Sequence, residues 1–534
     1  MATATFQKSF GAFYTAEPVA RTIVRWAVRN RNDSVLDPSC GDGVFLSSAV
    51  RHLEGMGCGH PQIWGIDVSE GALRSVKANL PECRLLNTDF FSTRPGDIPL
   101  FDAIIGNPPF IRYQAFNGSS RSSALARAEE AGVHLPKLSS SWAPFLVHAV
   151  AFLSKGGRLG MVVPAELGHA QYAREVLSFL LRKFGRIQFC IFRKKLFPEL
   201  SEDTGLLLCE KFESPCTWFS VAILNDIHQA EEHKYIEYPV DLDAIRSGRT
   251  RLGHYLLSPR IRELYGQLAE QKQVVRLGGV ADVGIGYVSG YNDYFHLSMA
   301  ERRQWRLPAS FLRPALLSLG DSDGIVVRRA DWERLRREGR KVYLLTIPPV
   351  SEGRLPGSVL TYLKYGKGLG VPKRFKCRVR ERWYSVPHVR IADAFLSYMS
   401  GQAPRLVKNR CNLVAPNTLH LVRFDETKRA DKFLAGWYSS LTRLSCELEG
   451  HALGGGMLKL EPSEAEAVLI PLPRAREETR VVRELDTLMR RMEEEPAIDF
   501  VDRHVLRRGL GLSATECALL RDAAGEMHRW RMHK

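Results

Sequence analysis

Over residues 1–230, short apolar runs alternate with stretches whose apolar residues recur at helical spacing. The runs predict strands over 34–37, 63–67, 84–87, 102–107, 158–164, 186–192 and 205–212. The periodic stretches predict helices near 18–30, 44–55, 70–79, 142–154 and 172–184. Strands rich in Val, Ile and Leu that alternate with helices predict a parallel sheet covered on both faces. Ligands of such sheets bind at the carboxyl ends of the strands. Residues just after each strand are therefore where chemistry is expected.

Two stretches break this rhythm. Residues 112–141 have no clear period and are rich in Ser, which predicts a functional loop or a disordered insert. Around 213–245, Pro215, Pro239 and mixed charges interrupt the pattern and predict a domain boundary. Beyond it come irregular short strands and turns, punctuated by Gly284, Gly286, Gly290 and Gly454-Gly455-Gly456. From about 476 the chain reads as helical, with Val481, Val482, Leu485, Leu488, Met489 and Met492 on one face. The predicted division is a first domain over 1–230, a second over 240–475 and a helical extension over 476–534. No internal repeat is visible.

The composition, 45% hydrophobic and 25% charged over 534 residues, is ordinary for globular chains. It excludes a disordered, collagenous or rod-like protein. Every apolar run is broken short of the roughly 18 residues a membrane span needs. Met1 to Lys8 lacks a basic-then-apolar leader. The ten cysteines are scattered without a C-x-x-C pair, so reduced thiols in the cytoplasm are expected rather than disulfides or a metal site. The net charge is +16, but residues 1–230 hold 24 Lys+Arg against 21 Asp+Glu, and the rest 51 against 38. A nearly neutral first part and a basic second part suggest a catalytic body joined to one that binds a polyanion. A merely solvated basic surface is the alternative.

Four motifs follow predicted strands. In Val35-Leu36-Asp37-Pro38-Ser39-Cys40-Gly41-Asp42-Gly43-Val44-Phe45-Leu46, a strand ends in an acid and a glycine turn opens a helix. The glycines allow close backbone approach to a ligand. The acids suit a cationic ligand and repel a pyrophosphate. Asp67 ends the next strand, where an acid can accept from ribose hydroxyls; it would equally cap the helix that begins at Ser69-Glu70. In Asn87-Thr88-Asp89-Phe90-Phe91, Asp89 can accept from an adenine amino group while Phe90 packs on the ring, or Asp89 can simply begin a turn. In Ile104-Ile105-Gly106-Asn107-Pro108-Pro109-Phe110, two prolines remove two donors. The Asn107 side-chain oxygen and the Pro108 carbonyl remain as acceptors for a planar amine, and Phe110 can stack on the base that carries it.

Together these strings resemble the S-adenosylmethionine-dependent amino-methyltransferases that act on adenine in DNA, of the gamma, TaqI-like motif order. The resemblance covers residues 6–212. It implies a Rossmann-like class I methyltransferase domain, with a seven-stranded, mostly parallel α/β sheet, followed by a C-terminal mixed α+β target-recognition domain. It implies S-adenosyl-L-methionine as cofactor, duplex DNA as partner and a flipped target adenine. The stretch Phe10-Gly11-Ala12-Phe13-Tyr14-Thr15 resembles the family's N-terminal motif, with Ala16 where a proline is common. By the resemblance, Thr15, Asp37, Pro38, Gly41 and Gly43 cradle the methionine end of the cofactor, Asp67 takes the ribose, and Asp89 and Phe90 take the adenine. Asn107, Pro108, Pro109 and Phe110 form the catalytic motif. Ile111-Arg112-Tyr113-Gln114 resembles larger restriction–modification members. Phe197-Pro198 resembles the position whose ring stacks on the other face of the flipped base.

In the second half, Asp282-Val283-Gly284 through Asn292-Asp293-Tyr294-Phe295 and Gly454 through Pro471 resemble segments of a target-recognition domain. The run from Lys373 to Tyr384 interleaves basic and aromatic residues, and Lys373, Arg374, Lys376, Arg378 and Arg380 are its candidate DNA contacts. The run from Arg328 to Lys341 carries several acids and reads as a solvated helix face. The same N-P-P-F chemistry serves RNA adenine, a glutamine amide and, with a different leading residue, cytosine. A non-catalytic DNA-binding subunit is a rival from another class. No nuclease constellation is visible, so restriction is expected to reside in a separately encoded endonuclease.

Overall fold

The computed structural model describes residues 15–111, 116, 118–137, 139–168, 172–198, 200, 203–232, 234–246, 251–425 and 430–532. The Phe10 to Tyr14 stretch and Arg112-Tyr113-Gln114 lie outside them. The chain divides into two compact units at Ser258/Pro259.

The first unit is built on a nine-stranded sheet. Helix α1 (Glu17–Ala27) precedes β1 (Val35–Asp37), and α2 (Val44–Gly55) leads to β2 (Ile63–Asp67). Next come α3 (Glu70–Asn79), β3 (Arg84–Asn87), β4 (Phe101–Gly106), α4 (Gly118–Glu130), α5 (Trp142–Val150) and β5 (Leu153–Pro164). Helix α6 (Ala173–Lys183), β6 (Phe184–Phe192), β7 (Thr204–Phe212), β8 (Trp218–Leu224) and β9 (Glu237–Pro239) complete the sheet. Its strand order is β3-β2-β1-β4-β5-β7-β6-β8-β9. Strands β1 to β5 run parallel, and β7 pairs antiparallel with both β5 and β6. The chain reverses direction across the sheet between β3 and β4, on either side of β1. The ends of β1 and β4 therefore open on the crevice where ligands of such sheets bind.

All seven expected strands form. The expected count is corrected to nine, because β8 and β9 extend the sheet through the stretch read as a boundary. Trp218–Leu224, buried over 219–222, pairs parallel with β6. The 112–141 insert is also more ordered than expected: 118–130 is helical, with Ala124 and Ala128 buried. Its buried face is made of small residues, which gives no apolar stripe.

The second unit contains a five-stranded sheet of β10 (Ala281–Ile285), β11 (Val326–Val327), β12 (Ala394–Ser397), β13 (Leu406–Asn409) and β14 (Leu419–Phe424). Their order is β10-β14-β12-β13-β11, and only the β11–β13 pair is parallel. Helices α7 (Arg329–Arg337) and α8 (Gly357–Gly368) precede β12. Helices α9 (Ala430–Trp437), α10 (Ser440–Glu449), α11 (Glu478–Arg490) and α12 (Ala514–Met532) follow β14.

The region from 476 is not a separate extension. Val481, Val482 and Leu485 of α11 are buried in one apolar core with Phe424, Leu434 and Ile470. Asp486 of α11, 1% exposed, accepts from the backbone N–H of Ile325 and of Val326 at 2.8 and 3.1 Å. It also accepts from Arg490 at 2.9 Å and from Arg328. Met492 falls outside the predicted stripe: the helix ends at Arg490, and Met492 is left-handed and 90% exposed.

Candidate active site

The turn after β1 is drawn tight by its glycines. Gly43 sits at φ +83°, and a Cβ there would lie 2.8 Å from Val76 of α3. Any side chain would push α3 off the turn. Gly41 is also left-handed, and its N–H donates to Asp67 Oδ2 at 2.9 Å. Asp67 Oδ1 accepts from Ser69 N at 2.8 Å. Asp67 therefore ties the glycine turn to the start of α3, and each oxygen keeps a second lone pair for a ligand.

Asp37 ends β1 at 1% exposure, beside the buried Pro38. Its Oδ1 accepts from Ser39 N at 3.1 Å, and its Oδ2 is buried with no hydrogen-bond partner. Burial pushes the Asp37 carboxyl up to about 8, and Asp67 and Asp42 add to the rise, while the Ser39 N–H opposes it. Such a group is set to gain a cationic partner.

The Asn107-Pro108-Pro109-Phe110 loop leaves β4 directly against this acid. Gly106 sits at φ +151°, and a Cβ there would lie 2.8 Å from Asp37 Oδ1. Asn107 Nδ2 donates to Thr15 Oγ1 at 3.2 Å, and Ser39 Oγ donates to the Asn107 carbonyl at 3.2 Å. The Asn107 Oδ1 is buried and has no partner. An unmade bond at a buried acceptor is costly unless a ligand supplies it. Two orphaned acceptors, on Asp37 and Asn107, thus sit on neighbouring strand ends. Phe110 is half-buried against the core of the first unit.

Several contributors carry no sequence signal. Ser141, 1% exposed, donates to the Pro109 carbonyl and accepts from Ile111 N at 2.9 Å. Its own N–H donates to the Ile111 carbonyl at 3.1 Å. One serine from the end of the insert therefore fastens the loop that carries Asn107 to Phe110. Ser120 of α4 donates to Asp89 Oδ2 at 3.1 Å, while Asp89 Oδ1 accepts from Phe91 N at 3.0 Å. Arg127 Nε donates to the Phe91 carbonyl at 3.0 Å. His148 Nε2 lies 3.2 Å from the Phe90 carbonyl and 3.0 Å from that of Thr93, so the Nε2–H tautomer clamps this turn. Burial lowers the His148 imidazole to about 4.

Two expected aromatic roles are corrected. Phe90 is 4% exposed, with its ring 4.6 to 5.2 Å from those of His148, Phe145 and Phe152. It shapes the turn below Asp89 and offers no open face. Phe197 is 2% exposed within the same apolar core that Phe110 abuts, so it is a packing residue in this structure. No group of three His, Cys, Asp or Glu among the described residues is arranged to hold a metal ion.

In the second unit, Lys373, Arg374, Lys376 and Arg378 are exposed, and none has a carboxylate partner among the described residues. Arg380 does not share this character. It is half-buried, and its guanidinium donates to the carbonyls of Val288 and Ser289 at 2.7 and 2.9 Å. It braces a turn and is not a free phosphate ligand. On α7, Arg329, Arg334 and Arg336 pair with Glu333 and Glu338, as a solvated helix face would.

Comparison with known proteins follows the same division. Residues 1–167 match the family model described as N-6 DNA Methylase. Residues 250–506 match that of the C-terminal domain of the Type II methyltransferase M.Eco57I. The chain is 20% identical over 474 residues to the Type II methyltransferase M.AccI of Acinetobacter calcoaceticus, covering 86% of this chain and 84% of that one. It is 21% identical to M.XamI of Xanthomonas campestris pv. amaranthicola, covering 86% and 85%. Among solved structures, the Type IIL restriction–modification enzyme MmeI in complex with DNA shares the fold at a TM-score of 0.56 and 12% identity, over 96% of this chain and 75% of that one. The DrdV chain of a DNA complex matches at 0.53 and 11%, over 90% and 58%.

Proposed function

Because this chain is a gamma-type, site-specific adenine DNA methyltransferase of restriction–modification type, we propose that its first unit binds S-adenosylmethionine between Asp37 and Asp89 and presents it to an adenine held at Asn107. The observation that carries this reading is the pair of buried, partnerless acceptors, Asp37 Oδ2 and Asn107 Oδ1.

The residues fit such a cofactor. Asp37, raised by burial and by two neighbouring acids, matches an ammonium group. The left-handed turn at Gly41 and Gly43 leaves room for close backbone approach. Asp67 has lone pairs left for ribose hydroxyls, and Asp89 can accept from an adenine amine. Bound there, S-adenosylmethionine supplies an electrophilic methyl group.

The chain's own part is to hold the amine that receives it. The adenine 6-amino group is out of reach within the duplex, so the base must leave the stack. Asn107 Oδ1 accepts one of its N–H bonds and the Pro108 carbonyl the other. This draws the nitrogen lone pair out of conjugation and toward the methyl. Phe110 stacks on the base and fixes its plane. Ser141 and Thr15 hold the loop and the amide in that geometry. We assign duplex contact to Lys373, Arg374, Lys376 and Arg378 of the basic second unit. A separately encoded endonuclease would supply restriction. The ten free cysteines suit a reducing, cytoplasmic setting.

The test is transfer of tritium from labelled S-adenosylmethionine to duplex DNA, RNA and protein, with single-molecule sequencing of the modified DNA. N6-methyladenine in one sequence context is expected. Label found only in RNA or protein would overturn the reading.

A further inference from the structure

Within the basic run, two apolar side chains face water where the surrounding sequence gives them no cover. Phe375 is 63% exposed and Val379 is 64% exposed. They begin and follow a single helical turn, Phe375–Arg378, whose other residues are basic except for Cys377. The turn is anchored from below. Cys377 is fully buried, and Gly290 packs so closely beneath it that a Cβ there would lie 2.7 Å from the Cys377 sulfur. Arg380 fastens the same place through the carbonyls of Val288 and Ser289. Arg374 sits over Tyr291, with its guanidinium carbon 3.5 Å from the ring centroid. Phe375 is therefore raised on a rigid support, with Lys376 and Arg378 beside its ring at 5.6 and 6.0 Å.

An aromatic ring held out among unpaired cations has an unfavourable free surface. The cations repel a basic protein partner and attract a polyanion. Phosphates can occupy the cations while a nucleobase face covers the ring, and duplexes are opened in this way by apolar wedges. We propose that Phe375 is a wedge that presses against the bases of bound duplex DNA, supported by Val379 and steered by Lys376 and Arg378. The inference rests on the assignment of DNA contact to this run. The division of labour is specific: the cations set affinity and its salt dependence, whereas Phe375 acts on the stacking of the bound DNA.

The experiment uses the full chain with two probes. The first is a mixed-sequence 40-base-pair duplex, titrated at two salt concentrations. The second is unmethylated plasmid DNA with tritiated S-adenosylmethionine. For Phe375→Ala, methyl transfer to plasmid should fall at least tenfold, while affinity for the mixed duplex stays within about twofold and its salt slope is unchanged. Phe375→Trp should retain most of the transfer. The double variant Lys376→Glu/Arg378→Glu should lower affinity and flatten the salt slope. Full transfer by Phe375→Ala would overturn the wedge, as would a loss that follows affinity for the mixed duplex. Unaltered circular dichroism of Phe375→Ala separates either outcome from misfolding. Failure of the unaltered chain to methylate any DNA would instead sink the functional reading itself.

Discussion

Asn107 donates through Nδ2 to Thr15 Oγ1 at 3.2 Å, and in this orientation the amide turns its oxygen to the site. With the NH2 group engaged, Oδ1 is the atom left buried and unpartnered. An amide in the reverse orientation would offer donors to an amine that carries only donors.

Asn107→Ala should therefore lower methyl transfer by roughly 10²-fold or more, in the range found when one polar group aimed at a reacting centre is removed. Cofactor affinity by calorimetry should change little. Thr15→Val removes only this supporting bond, worth about 1 kcal/mol, and should lower the rate about fivefold. An Asn107→Ala protein with the normal rate would exclude the amide from catalysis.

Asp37 makes opposite demands on stability and on binding. The unfolded chain releases this proton near pH 3.8, and the folded chain near 8. The group thus opposes folding more and more as pH rises from about 4 to about 8. Asp37→Asn should raise the Tm of the unliganded protein at pH 8, by roughly 2–4 °C per kcal/mol relieved. It should leave the Tm at pH 4 unchanged and abolish cofactor binding. Calorimetry at both pH values measures all three.

Ser141→Ala leaves the Pro109 carbonyl and the Ile111 N–H without their shared hydroxyl. Each missing bond costs about 1 kcal/mol or more. A drop of about tenfold in kcat is expected, with KM for DNA nearly constant, because the Ser141 hydroxyl is spent on the loop backbone at Pro109 and Ile111. A change in KM alone would contradict this role.

His148 remains neutral to about pH 4, because burial outweighs its two carbonyl partners. The unfolded chain takes up the proton near 6.5. Its contribution to stability therefore falls as pH drops from about 6.5 to about 4. His148→Gln should show a smaller loss of Tm between pH 7 and pH 5 than the unaltered chain. Differential scanning calorimetry would decide it, and equal losses would rule out this imidazole as a source of acid sensitivity.

Lys376→Glu should reduce the slope of log affinity against log salt for duplex DNA, by about 1 for each phosphate that is no longer neutralised. Arg380→Ala should leave the slope intact and lower Tm, since its guanidinium is spent on two carbonyls. Filter binding across a salt series separates the two residues.

How much of the molecule is legible in its sequence depends on the kind of signal. Strands β1 to β7 announce themselves as Val, Ile and Leu runs, and the strings at Asp37 and Asn107 combine a strand end with unusual backbone residues. Strand β8 is hidden because Pro215 before it reads as a boundary. Helix α4 is hidden because only Ala124 and Ala128 face the core. Ser141 is one of three consecutive serines, and nothing local tells which of them points at the loop. Phe90, Phe197 and Arg380 are the right residue types in the right strings. Their surroundings, set by distant segments, turn them inward.

The grip of Asp486 on Ile325 and Val326 has a practical meaning for protein engineering. Residues 478–490 supply a buried acceptor that closes the edge of a sheet more than 150 positions upstream. A chimaera that exchanges 259–475 and retains its own tail would confront that acceptor with a foreign strand. An exchange that carries the whole run from 259 through 532 keeps that acceptor with the strand it was built to close.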